Sequence, residues 1–202
     1  MHVEAISHDA LLQASRRVDW RFLLPKPELG RVACIGETDP ELVQSLRLFS
    51  AELTAARSVS ANGREASYDL VVLRNASLDE LDVARSQLHP GGSLYVEVER
   101  SKRGKQARAA RTARGYARAL RRLGLVDVNT YVHWPDFASC RAIVPLDHGV
   151  AVRYGLERGS GSGSRFLTRF APVLAVTHQL EWFVPCASVL GRVPMTGESR
   201  AR

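Results

Sequence analysis

The sequence is poor in several things at once. Three cysteines, Cys34, Cys140 and Cys186, stand far apart and are odd in number. They supply neither a disulfide framework nor a CxxC metal site, so the expectation is a reduced, cytoplasmic protein. The six histidines are scattered, and no HxxxH or HExxH spacing suggests a metal. No GxGxxG is present. Long apolar runs are missing too. The most apolar stretch, 166–190, is interrupted by Arg169, His178 and Glu181, and its uncharged runs fall short of the about 20 residues that cross a bilayer. The N-terminal residues include Glu4 and Asp9 and lack a basic region followed by an apolar one, so no signal peptide is expected. No internal repeat is found.

What is there is the composition of an ordinary globular chain. The 202 residues are 45% apolar and 24% charged, which excludes wholesale disorder and a fibrous protein. One domain of this length buries roughly 70% of its unfolded surface without staples. The net charge of +7 is local. Ten of the 28 basic residues fall between Arg100 and Arg122 with no acid among them, and the remaining 18 face 21 acidic residues. Arg108, Arg111, Arg114, Arg118 and Arg121 recur every three or four residues and span an arc of roughly 140° on a helix. Ala109, Ala113, Tyr116, Leu120 and Leu123 take the other side. Such a face is either a solvated helix surface or a platform for an anionic ligand or partner. Tyr116 is the one residue there suited to stacking on a base, and it sits on the wrong side.

Local patterns predict an alternation of helices and strands. Residues 2–19 read as a helix, followed by a loop punctuated by Pro25, Pro27 and Gly30. Residues 31–36 read as a buried strand ending at Gly36. A helix follows to about Phe49, capped by Thr38 or Asp39 with Pro40 at its first position. Further strands are expected at 53–59, 68–73, 93–98 and 126–132, with a turn at Asn62-Gly63. A helix over 78–88, opened by Ser77 or Asp79, is expected to stop at His89-Pro90-Gly91-Gly92. The basic helix closes at Gly124. Beyond Trp134 the pattern predicts a loop at 134–137, a short strand at 143–147, a short helix at 149–156, a Gly/Ser run at 159–164, a helix at 166–178 and a last strand at 184–193. The order indicates an α/β fold, Rossmann-like, with a mostly parallel sheet and helices on both faces. Three segments are expected: a helical lead-in at 1–30, an α/β core at 31–132 and a C-terminal extension at 133–202.

In such sheets ligands bind beyond the carboxyl ends of the strands. That rule selects Gly36, Glu37, Asp39, Arg74 and Asn75 as cofactor-binding candidates, each with an ordinary alternative as a turn, cap or loop residue. His133 beside Asp136 is the candidate for general-base chemistry, against the plainer reading of a packed loop.

Four stretches together resemble class I S-adenosylmethionine-dependent methyltransferases. They are Arg31-Val-Ala-Cys-Ile-Gly-Glu-Thr-Asp39, Tyr68-Asp-Leu-Val-Val-Leu-Arg-Asn75, Leu88-His-Pro-Gly-Gly-Ser-Leu-Tyr-Val96 and Leu120-Arg-Arg-Leu-Gly-Leu-Val-Asp-Val128. The resemblance covers about residues 30–132, with 186–193 as a final strand. It implies methyl transfer from S-adenosylmethionine to a small metabolite, with a phosphorylated (anionic) or a sugar-like acceptor as the options, and residues 134–181 as a substrate lid. The chain departs from the family in three respects. Its first motif keeps one glycine, Gly36. No carboxylate stands near Ala56 and Arg57, where the family holds the ribose hydroxyls. And 36–68 is too short for the second strand, second helix and third strand of a complete member. These departures keep a second reading open: an inactive methyltransferase-like protein that binds a protein partner through its basic helix. A dinucleotide-binding protein using Arg57 is a third.

Overall fold

In the computed structural model the described residues are 7–36, 39–56, 67–99, 112–148, 150, 151, 154 and 186–197. The chain begins with helix α1 (His8–Arg17), whose N-terminal amides are capped by the Ser7 hydroxyl. A 3-10 helix, Asp19–Leu23, follows directly, where the sequence suggested the start of a loop. The alternation then reads β1 (Arg31–Ile35), α2 (Pro40–Phe49), β2 (Glu52–Ala56), β3 (Tyr68–Arg74), α3 (Leu78–Ser86), β4 (Leu88–Glu99), α4 (Ala113–Arg122), β5 (Val126–Trp134), β6 (Ala142–Pro145) and β7 (Cys186–Arg192). The helices start where the sequence signals them. Asp39 caps α2 with Pro40 in its first turn, and Ser77 and Glu80 form a reciprocal capping box on α3.

All seven strands join one sheet in the order β2-β1-β3-β4-β7-β5-β6. The pairs from β2 to β4 are parallel, and β7 runs antiparallel to both β4 and β5. Strands β1 to β5 therefore point the same way, and their carboxyl ends share one edge. The fold is α/β and Rossmann-like, with a mixed, mostly parallel sheet. β5 continues through His133 and Trp134, and β6 and β7 lie in the same sheet as the α/β core.

Side-chain alternation along the strands splits the apolar residues between two cores. Ala33, Ile35, Val71, Leu73, Leu94 and Val96 face α3 and α4, meeting Leu81, Tyr116 and Leu120. Val32, Cys34, Leu70, Val72 and Tyr95 face the other side, meeting Val18, Trp20, Leu42 and Leu46. Trp20 is fully buried and stacks on Tyr95 with ring centroids 3.8 Å apart.

Several expectations shift. His89-Pro90-Gly91-Gly92 does not end a helix; it is part of β4, and α3 already stops at Ser86 with Gln87 as its C-cap. Tyr68 pairs with Leu88 and Leu70 with Ser93, so these four residues form a bulge opposite Asp69. Gly92 is required there, since a Cβ would lie 3.0 Å from the carbonyl oxygens of His89 and Tyr68. β2 starts one residue earlier than expected, and residues 57–59 lie outside the described residues, as do the Asn62-Gly63 turn, the Gly/Ser run, the 166–178 helix and most of the 149–156 helix. α4 begins at Ala113 with Thr112 as its cap, so Arg108 and Arg111 also lie outside them. All three cysteines are buried and none is in a disulfide. Among the described residues no helix is long and apolar enough to cross a membrane.

The stacked Trp20 fixes the 3-10 helix to the sheet. Trp20→Ala is expected to lower stability by about 3–5 kcal/mol. Urea denaturation measures it, with an unchanged m-value showing that the native fold persists.

Candidate functional site

The chain passes from β1 outward to β2, and from β3 in the opposite direction to β4. The sheet therefore reverses direction between β1 and β3, the kind of point at which open α/β sheets bind ligands beyond the carboxyl ends of their strands. Ile35 pairs with Leu73, so Gly36 and Arg74-Asn75 leave the sheet side by side. Gly36 has φ +95, and a Cβ built on it meets nothing within 4 Å. Its N–H donates to the Ala56 carbonyl at 3.0 Å, which ties the turn to the end of β2. Asn75 also adopts a left-handed backbone, φ 48. Its N–H donates to the Glu97 carbonyl at 2.8 Å, and its side-chain oxygen accepts the Glu99 N–H at 2.9 Å. Arg74 makes an ion pair with the carboxylate of Glu99.

Of the five cofactor candidates, the structure brings Gly36, Arg74 and Asn75 together at the carboxyl edge of β1 and β3. Asp39 is engaged in structure: its Oδ1 accepts the Glu41 N–H at 3.0 Å, and its Oδ2 stands 3.6 Å from Arg17 Nε. Glu37 lies outside the described residues. β2 ends in Ala55-Ala56, so within the described strand no side chain there accepts a hydrogen bond. Glu52 sits at the opposite end and pairs with Arg31 at 3.3 Å.

A buried polar cluster lies on the α1 side of β4. Arg17 donates from both terminal nitrogens to the two carboxylate oxygens of Glu97, at 2.7 and 2.9 Å. The two side chains are 3% and 0% exposed. Burial works against the charge on Arg17, but Glu97 outweighs it and holds the guanidinium more firmly protonated than usual. The phenol of Tyr95 lies 3.3 Å from His133 Nε2, the Ser188 hydroxyl lies 2.8 Å from the same nitrogen, and the Cys140 sulfur lies 3.7 Å from Nδ1. Phe137 covers the His133 ring at 4.7 Å and faces the Arg17 guanidinium at 5.5 Å.

This arrangement does not pair His133 with Asp136. The Asp136 carboxylate accepts from the backbone and hydroxyl of Ser139, at 2.7 and 2.8 Å, and those bonds hold it ionised below the usual range. His133 is sealed at 1% exposure. Desolvation, reinforced by Arg17, pushes its pKa down to about 3. The ring is a neutral core residue at physiological pH. Arg17 and Glu97 escaped the sequence reading altogether, although one signal was present: a glutamate inside the apolar strand run Ser93-Leu-Tyr-Val-Glu-Val98.

No family model matches the chain, and no curated protein does. Solved structures similar to it include phosphoethanolamine N-methyltransferase 2 of Haemonchus contortus (10% identity, TM-score 0.49, covering 94% of this chain and 54% of that one), so this chain spans about half the length of that enzyme. A SAM-dependent methyltransferase from Archaeoglobus fulgidus is 12% identical, with TM-score 0.49 and coverage of 90% and 93%. The [4+2]-cyclase SpnF is 14% identical, with TM-score 0.47 and coverage of 92% and 82%. Likeness of this degree carries no argument about cofactor, substrate or activity.

Removing one partner of the buried ion pair leaves a stranded charge. Glu97→Leu or Arg17→Met alone is expected to cost about 3–5 kcal/mol, and the double variant to regain most of that. A double-mutant cycle by chemical denaturation checks it.

His133 generates a second expectation. Unfolded, it titrates near its usual 6.5; folded, near 3. Between these values the unfolded chain binds the extra proton. The stability gained by keeping the ring neutral is complete above about pH 6.5 and is lost as pH falls toward about 3. His133→Gln should flatten that acid-side slope in denaturation curves. The His133 ring signals in NMR should show no titration between about pH 4 and pH 8.

Proposed function

We propose that the chain is a methyltransferase-like protein that binds S-adenosylmethionine in the crevice beyond β1 and β3. The observation that carries this reading is the reversal point itself, with Gly36 leaving open space beside it. The residues there fit such a ligand in part. Gly36 allows close approach of the backbone, and the half-exposed Glu99 carboxylate offers an acceptor beside Asn75. When bound, the cofactor supplies a methyl group already activated on its sulfonium, so the protein's share is positioning. Arg74 and Asn75 do that work at the crevice edge in this reading; Arg74 is paired with Glu99, so a small anionic methyl acceptor would share or displace that carboxylate. Three buried cysteines outside any disulfide suit a cytoplasmic setting.

A second reading, an inactive binding module, is favoured by one observation. β2 ends in two alanines, and the nearby carboxylate of Asp39 is already committed to capping α2 and facing Arg17.

Calorimetric titration with S-adenosylmethionine and with its demethylated product separates the two. Micromolar binding supports the first; no heat and no thermal stabilisation at millimolar ligand leaves the second. Gly36→Val adds a control. Gly124 also has positive φ, +81, and open space, but it closes α4. Both valine variants are expected to lose about 1–3 kcal/mol from backbone strain. Only Gly36→Val should weaken ligand binding, by about tenfold or more, since a 1.4 kcal/mol clash already gives that factor.

A further inference from the structure

We propose that the outward face of α4 is a docking surface for the phosphate backbone of a double-stranded nucleic acid. Every exposed residue of α4 is an arginine: Arg118, Arg121 and Arg122. Arg114, half-buried, precedes them by one turn, and the helix contains no acidic residue. From Arg114 to Arg122 the row extends about 12 Å along the helix axis. The Arg121 guanidinium donates to the Val128 carbonyl at 2.9 Å, so this cation is held against the start of β5. The sequence running into α4 adds six more basic residues and no acid.

The apolar side of α4 decides which polyanion fits. Ala113, Tyr116, Ala117, Ala119 and Leu120 are all buried in the core. A helix that lies in a membrane surface inserts its apolar face, and here that face is already consumed. Protein interfaces are anchored by buried aromatic or aliphatic groups, and the exposed face of α4 offers none. A single-stranded nucleic acid is held by stacked bases, yet Tyr116 is buried with its hydroxyl donating to the Ala76 carbonyl at 2.6 Å. A convex row of arginines without stacking groups matches a duplex backbone, read by charge and not by sequence.

The surface lies on the opposite side of the sheet from Arg17 and Glu97, and its test needs no cofactor. Fluorescence anisotropy with short mixed-sequence duplex DNA and duplex RNA is read across a salt series. Three or four phosphate contacts predict a slope of log affinity against log salt of about −3. The double variant Arg118→Ser/Arg122→Ser should reduce the slope by about two and weaken binding about tenfold or more at low salt. Both side chains are exposed, so an unchanged melting temperature confirms the fold. Absence of duplex binding at low salt overturns the proposal. So does binding that the double variant leaves intact, because the polyanion then sits elsewhere. Preferential binding to vesicles containing anionic lipid overturns it as well.

Discussion

The bidentate pair between Arg17 and Glu97 is the constraint on which one whole side of the molecule depends. Each charge, taken alone out of water, carries a desolvation cost of several kcal/mol. The pair is tolerable only with two short, parallel hydrogen bonds, which demand one position and one rotation of α1 over the tip of β4. With α1 fixed, the chain reaches the 3-10 helix in register to lay Trp20 flat on Tyr95. The same guanidinium faces Asp39 at the start of α2, so both helices of that side take their bearings from one point on β4.

The sheet separates two kinds of electrostatics. On the α1 side the charges are internal, matched and dry, and the neutral His133 sits among them. On the other side α4 carries only positive charge, facing outward, while the neighbouring α3 carries Asp79, Glu80 and Asp82. The carboxyl edge of β1 and β3 lies between these regimes, and Arg74 and Glu99 meet beside it as a partly exposed pair.

Much of this architecture was legible because it is written locally. The apolar runs at 31–35 and 68–74 became neighbouring strands, and Asp39-Pro40 and Ser77 started helices as their chemistry requires. The dense Pro-Gly-Gly signal at 90–92 misled, because a proline and glycines serve a bulge as well as a turn and only the register of β3 distinguishes them. The cluster around His133 was illegible for another reason. Asp136 is its near neighbour in sequence, but the partners of its Nε2 come from β4 and β7, and Arg17 and Glu97 lie 80 residues apart. Contacts of that span leave no periodicity to read.

The placement of β7 has a consequence for the order of assembly. It is the last of the described strands in sequence, yet it fills a central position between β4 and β5. A nascent chain carrying everything through β6 holds two separate pieces of sheet: a parallel half ending at β4, and a β5–β6 hairpin with no neighbour. The facing edges of both expose unpaired amides and carbonyls until residues 186–192 are synthesised. Loop closure over so long a separation is slow. The molecule therefore becomes a single cooperative body only once residues 186–192 have been made, and a truncation before Cys186 yields a chain with two sticky strand edges.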